Sequence, residues 1–405
     1  MLFISYDGMT DPLGQSQVIP YLSGLTKYGY SFTIISCDKP DKYEANKEYV
    51  HQLIQPFPIE WVSLPYHKSP PVLSSMYDFY KIKQVVKKLQ AKQAFQMVHT
   101  RPGVPTLVAL WMKKKYGTKF LNDIRGFWAD ERVDGGMWNL RNPLYKKVFR
   151  FFKQHEYDCI INADYNTCLT TAAKNEIHSW KNIPEQPIPL EVISCSADLE
   201  LFNAGNIENS QKQHFAKKLG IQEDDFIISY LGSIGGWYLT NEMMRLCKII
   251  SEQNPAAKFL FISPHRHDHI IAAAAGSGLS ENKIITVKAL RHEVPVLLSF
   301  SRFSLFFIKP CYSKISSSPT KHGEIMAMGI PVITNSGVGD VKEIVEKYNA
   351  GFVLNDFTDE TFYELADRLP KAVFDKTQIV NGAREMYALQ NALQLYKKVY
   401  QTILP

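Results

Sequence analysis

Between Ser316 and Asp340 the chain reads SSSPTKHGEIMAMGIPVITNSGVGD, which sets one ammonium (Lys321) and one carboxylate (Glu324) between two loops rich in serine, proline and glycine. A helix-like segment carries Glu324 and turns at Gly329, a buried-strand pattern follows over 331–334, and 337–340 forms the second loop. At the mouth of an α/β sheet such loops present backbone N–H groups to anions, so a phosphorylated small molecule is the expected ligand. A second glycine loop, Gly232-Ser-Ile-Gly235-Gly236, stands directly behind the apolar run 226–231. The third concentration of chemistry is Arg125-Gly-Phe-Trp-Ala-Asp130-Glu131-Arg132, behind the strand pattern 118–124. Singly, Asp130, Glu131 and Arg132 read as salt-bridged charges at a helix start. Together, past the carboxyl end of a strand, they favour a site. His99 follows the preceding strand pattern, a place where a lone histidine is more often structural.

These residues need strands to carry them. Leu2–Ser5 reads as a first strand, 6–14 as a loop containing Gly8 and Gly14, and 15–27 as a helix with Val18, Leu22 and Leu25 on one side. Strand patterns recur at 32–36, 59–64, 98–100, 118–124, 158–162 and 191–194, with helices at 76–89 and 170–177. A polar stretch from Ser196 to about 216 marks a domain boundary. The pattern then restarts with strands at 226–231, 259–262, 284–287 and 304–308, helices at 240–250, 293–299 and 360–369, and one long helical region over 378–403. The expectation is two doubly wound α/β domains of Rossmann type, 1–195 and 196–384, facing across a ligand cleft, with a terminal helix at about 385–405 packing back on the first.

Composition narrows the class. The 405 residues are 45% apolar and 21% charged, as expected of a soluble globular chain of two domains. The start, MLFISYDGM, has neither a basic region nor a long apolar one, so the protein is expected to be cytoplasmic. Six scattered cysteines form no C-x-x-C pair and no zinc-like spacing, which fits free thiols and no metal site. A net charge of +6 is too small for a dedicated nucleic-acid binder. The segment 143–153, PLYKKVFRFFK, is basic and without an acid; it suits either peripheral contact with the inner face of an anionic membrane or a solvated helix with its aromatic side in the core. Neither glycine loop has the G-x-G-x-x-G form, which disfavours a nicotinamide enzyme.

On these residues the chain resembles the retaining glycosyltransferases of the GT-B fold, family 4, over essentially its whole length. Gly232-Ser-Ile-Gly-Gly-Trp237 is similar to the family's donor-phosphate loop, and Ile193-Ser-Cys-Ser-Ala-Asp198-Leu-Glu-Leu-Phe202 to its inter-domain segment. Gly323-Glu-Ile-Met-Ala-Met-Gly-Ile-Pro-Val-Ile333 is similar to its G-x-x-x-x-E-A-M-A-x-G-x-P-V-I block. The resemblance implies a nucleoside-diphosphate sugar as donor, no cofactor, and a glycan, lipid-linked or small-molecule acceptor, in the manner of bacterial surface-polysaccharide assembly. It assigns Glu324 to the ribose. It also exposes departures: Ser316 stands eight residues before Glu324, where the family's first glutamate is expected, and 232–241 lack the usual arginine and lysine. Lys321 and the N–H groups of Gly235, Gly236, Thr320 and Lys321 are therefore expected to meet the diphosphate, with Arg266 as a weaker candidate and Gly14 on the donor side. Arg125 stands where the family often has a histidine, and Arg125, Asp130, Glu131 and His99 are the expected catalytic group. A GT-B-like epimerase or phosphorylase, and a noncatalytic nucleotide-sugar-binding protein, remain the alternatives.

Overall fold

A computed structural model describes residues 1–183 and 186–405. The chain divides into two compact units, Met1–Cys195 with Leu389–Pro405, and Ser196–Ala388. The first holds seven strands: β1 (Leu2–Ser5), β2 (Phe32–Asp38), β3 (Ile59–Pro65), β4 (Met97–Thr100), β5 (Lys119–Ile124), β6 (Tyr165–Cys168) and β7 (Leu190–Val192). All pair in parallel, in the order β3-β2-β1-β4-β5-β6-β7. The second holds β8 (Phe226–Leu231), β9 (Ala257–Ile262), β10 (Ile284–Val287), β11 (Phe303–Leu305), β12 (Val332–Asn335) and β13 (Gly351–Leu354), parallel in the order β10-β9-β8-β11-β12-β13. Both are Rossmann-like sheets. In each the strand order reverses between the first and fourth strands, and the crevice at that reversal is where such sheets receive ligands.

Strands buried on both faces read as unbroken apolar runs, which is why β1, β2 and β8 are visible in sequence. One face of the first sheet packs on the helices Ile19–Thr26 and Leu389–Ile403. The latter buries Ala392, Leu393, Tyr396, Val399, Tyr400 and Ile403, a three-and-four spacing that presents one apolar side. The two helices approach closely at Gly24, where a Cβ would lie 2.4 Å from a Leu393 methyl. The other face packs on Leu73–Lys92, Val104–Tyr116 and Pro143–Asn162.

Three expectations are corrected. Residues 158–162 are not a strand but the last turn of Pro143–Asn162, in which Cys159 and Ile160 are buried while Ile161 is 38% exposed; an alternating strand would have buried 159 and 161 together. The helical region 378–403 is two helices, Lys376–Tyr387 and Leu389–Ile403, separated by an extended Ala388. The helix expected over 15–27 is also two, Pro12–Gln17 and Ile19–Thr26, broken at Val18, and Pro20 lies in the first turn of the second where its missing N–H costs nothing. No helix is long and apolar enough to cross a membrane among the described residues.

Candidate active site

In the second unit the loop behind β8 bends through Gly232, Gly235 and Gly236, all at positive φ (113°, 79° and 62°), a backbone that side-chain-bearing residues rarely adopt. The Thr320–Ala327 helix points its first turn at this loop. Lys321 is buried, its Nζ lying 3.9 Å from the Tyr238 ring centroid, 4.6 Å from that of Tyr230, and 3.0 Å from where a Gly232 Cβ would stand. Among the described residues, none accepts a hydrogen bond from it. Burial drives its pKa down from 10.5 to about 7, with Glu324 pulling the other way. Two more cations reach the loop from elsewhere: an Arg266 Nη lies 3.1 Å from the Cβ position of Gly235, and Lys314 sits 3.8 Å from the Trp237 ring centroid. Thr320 opens the helix, so its N–H and that of Lys321 have no partner within the helix.

Glu324 is buried one turn further along. Its Oε1 accepts a 2.5 Å hydrogen bond from Arg291, a half-exposed residue whose guanidinium lies 4.6 Å from the Phe202 ring centroid. Ser316 is fully buried and donates to the Ser313 carbonyl at 2.8 Å, so the position lacking the expected carboxylate is turned into its own loop. His322 contacts the Tyr387 hydroxyl at 2.9 Å through Nδ1, and burial holds its pKa down at about 3, leaving it neutral. Gly323 allows that packing, since a Cβ there would stand 2.6 Å from the Tyr387 ring.

In the first unit a buried network occupies the carboxyl ends of β4 and β5. Asp123 is its centre: it accepts from Thr167 at 2.8 Å and Tyr396 at 3.3 Å, and faces His99 at 3.5 Å, Arg101 at 3.6 Å and Arg125 at 4.0 Å. The two guanidiniums hold its carboxyl well below the usual range against the cost of burial. His99 meets the Tyr400 hydroxyl at 2.8 Å, and burial lowers its pKa, so it is a neutral member of this network. Arg125 donates to the Cys195 sulfur at 3.3 Å, while its Nη1 has no hydrogen-bond partner among the described residues.

Asp130 and Glu131 lie apart from that network on the Trp128–Asp134 helix. Asp130 accepts from Lys153 at 2.7 Å, and Lys153 also donates to Glu156. Burial raises the pKa of Asp130, against the pull of Lys153. Beside them the Arg132 guanidinium stacks 3.3 Å from the Trp128 ring centroid. Gly14 lies in the Pro12–Gln17 helix, where a Cβ would fall 2.4 Å from the Gly8 carbonyl, and the loop it closes is pinned by Thr10 donating to Asp38 at 2.8 Å. The structure thus gathers Lys321, Glu324, Thr320, Gly235 and Gly236 in one unit and His99 and Arg125 in the other, while Asp130 pairs with Lys153 and Glu131 stands beside Arg132. Sequence reasoning missed Arg101, Asp123, Tyr396 and Tyr400, and also Lys314 and Arg291. Asp123 stands two residues from Arg125, but its partners come from strands and a helix far along the chain. Among the described residues no group of three or more His, Cys, Asp or Glu could hold a metal ion.

Comparison with known proteins fits this geometry. Residues 211–386, which contain the Gly232 loop, Lys321 and Glu324, match the family model of the glycosyl transferases group 1. No curated protein matches the chain in sequence. Solved structures match it throughout: a glycosyltransferase from Rickettsia africae at TM-score 0.70 and 16% identity covers 100% of this chain and 98% of its own. A sucrose-phosphate synthase from Thermosynechococcus elongatus is similar at TM-score 0.70 and 14% identity, with coverage of 100% and 99%. Anabaena HepE in complex with UDP and glucose is similar at TM-score 0.66 and 12% identity, with 99% of each chain covered. At these identities the likeness establishes the fold, two Rossmann-like domains of the GT-B type.

Proposed function

We propose that this chain is a glycosyltransferase of family 4 type that moves a sugar, with retention of configuration, from a nucleoside-diphosphate sugar to an acceptor hydroxyl. The observation that carries the reading is the buried, unpartnered ammonium of Lys321 against the Gly232 loop, one helical turn from the buried carboxylate of Glu324. A buried amine without an acceptor is costly. An anion that supplies acceptors removes that cost. A diphosphate in the glycine loop meets Lys321 directly, with Arg266, Lys314 and the leading N–H groups of the Thr320–Ala327 helix close by, and the ribose diol reaches Glu324. The match of 211–386 to a glycosyltransferase family and the UDP complex of the similar Anabaena protein support the same donor class.

In the reaction the acceptor oxygen bonds to the anomeric carbon as the bond from that carbon to the diphosphate breaks. The electron pair leaves with the diphosphate, and one of its oxygens takes the acceptor proton, so the second unit's task is to stabilise the departing charge. The first unit's Arg125 serves the reacting sugar, His99 and Asp123 hold Arg125 and Arg101 in place, and Asp130 and Glu131 stand on the acceptor side. We further place the protein in the cytoplasm, building a bacterial-type glycan, with the basic segment 143–153 touching the inner face of the membrane.

Incubation with UDP-, GDP- and ADP-sugars labelled in the sugar, with and without acceptor glycans, tests this reading. Label in a new glycoside together with free nucleoside diphosphate is the expected result. Epimerised donor, or donor bound and returned unchanged across the acceptor panel, would overturn it.

A further inference from the structure

The charges gathered around Asp123 at the carboxyl ends of β4 and β5 do not balance. Arg101 and Arg125 each have only 10% of the side chain exposed, and Asp123 is the one carboxylate within 4.0 Å of either guanidinium among the described residues. Burial lowers the pKa of His99, which stays neutral and adds no charge. Asp7 lies further from Arg101 and is shared with Arg132, which has Glu131 beside it. Two cations therefore share one anion in a place largely closed to water.

The excess falls on Arg125. Asp123 is already engaged, since Thr167 and Tyr396 donate to it and His99 and Arg101 stand closer than the 4.0 Å of Arg125. Arg101 is tied as well to the Gln17 carbonyl, at the break between the Pro12–Gln17 and Ile19–Thr26 helices. Arg125 donates to the Cys195 sulfur, a weak acceptor, and its buried Nη1 has no hydrogen-bond partner among the described residues. A buried guanidinium with an unmade bond and no carboxylate to itself is costly. A neutral hydroxyl would fill the bond and leave the charge. A carboxylate answers both: it brings the one negative charge that is lacking, and its two oxygens fit the planar fork. The end of β5 is also where a sheet of this kind receives its ligand.

We infer that the first unit recognises a sugar carboxylate through Arg125, with Arg101 beside it, so that one of the two sugars in the reaction is a uronic acid. The inference rests on the transferase reading above and adds to it the charge of the substrate. A carboxylate on the transferred sugar and one on the acceptor present the same chemistry to the two guanidiniums. Separate arms of the test distinguish these sources.

The test offers the full chain substrates that differ only in the oxidation of one carbon. The donors are UDP-glucose and UDP-glucuronic acid, UDP-galactose and UDP-galacturonic acid, and GDP-mannose and GDP-mannuronic acid, each with nitrophenyl glucosides and nitrophenyl glucuronides as acceptors. A uronic acid should be preferred in kcat/KM over its neutral counterpart by about tenfold or more, the scale of a charge-assisted hydrogen bond. Preference among donors assigns the carboxylate to the transferred sugar, and preference among acceptors assigns it to the acceptor; either supports the inference. Arg125→Lys keeps the charge and should retain part of the preference, whereas Arg125→Met should bring the ratio close to one. A ratio taken within one sample is insensitive to a loss of folded protein, and the parent's own ratio decides the matter if the Met variant does not fold. Neutral substrates used as well as or better than the uronic ones in every pair would overturn the inference, as would a ratio that Arg125→Met leaves unchanged. So would a loss of affinity for plain UDP or GDP in the Met variant as large as that for the uronic substrate, which would put the guanidinium on the diphosphate. Transfer of neutral sugars alone leaves the transferase reading standing, while no transfer from any donor overturns both, so the two failures are distinguishable.

Discussion

Lys321 connects pH to both stability and binding, and the two effects have opposite signs. Burial between Tyr230 and Tyr238 takes its pKa from the ordinary 10.5 to about 7, so in the free chain at neutral pH it is roughly half charged. Between about pH 7 and 10.5 the unfolded chain holds a proton that the folded chain does not; stability therefore rises with pH across that window, and the full penalty, on the order of 5 kcal/mol, applies below pH 7. Lys321→Met removes the penalty and should raise the urea midpoint of the ligand-free chain at pH 6 far more than at pH 10. A bound diphosphate favours the ammonium, so binding must draw in a proton wherever the free lysine is neutral. Calorimetry in two buffers of different ionisation enthalpy should find uptake of about 0.9 proton at pH 8 and about 0.1 at pH 6. The ligand should be a nucleoside-diphosphate sugar, which lacks the secondary phosphate ionisation near pH 6. Affinity should be flat below pH 7 and fall up to about tenfold per unit above it. The Met variant should bind about 1.5–3 kcal/mol more weakly at pH 6, with the difference closing by pH 9. No proton uptake at pH 8, or a ratio of parent to variant affinity that does not change with pH, refutes the argument.

Other side chains give sharper contrasts. Glu324→Gln should cost nucleoside affinity by about 1.5–3 kcal/mol, the scale of hydrogen bonds to a charged group, with the circular dichroism unaltered; unchanged affinity by calorimetry removes its ribose role. Arg291 occupies the same carboxylate from a half-exposed position, so Arg291→Ala should tighten nucleoside binding by up to about fivefold, the worth of a pair of that exposure. Weaker binding would mean instead that Arg291 holds Glu324 in its working rotamer. Arg125→Met leaves Asp123 with fewer buried partners and should destabilise the first unit by about 3–5 kcal/mol. Asp130→Asn leaves the Lys153 and Glu156 contact standing and should change stability by less than about 1 kcal/mol, so that any loss of transfer in this variant reports on chemistry and not on folding.

The parallel sheets were legible because a strand covered on both faces needs apolar residues throughout and a turn at its end, as in Phe226–Leu231 followed by Gly232. The same rule misleads at Asp158–Asn162, since a short apolar run looks alike at the end of a helix and in a strand. The break at Ala388 was hidden because 376–403 keeps helical spacing on both sides of it, and only the passage from one unit to the other demands an extended residue there. Within the site, legibility followed distance along the chain. Lys321 and Glu324 share a helix, so their spacing places both near one loop. Arg291 reaches Glu324 across 33 residues, and Tyr396 reaches Asp123 across 273, contacts that depend on strand order and on where the last helix docks. The same principle accounts for the basic pair missing from 232–241. The cations beside the glycine loop come from the segments around Arg266, Lys314 and Lys321 instead. Each is anchored in a different loop or helix, which is why the loop's sequence alone understates the positive charge around it.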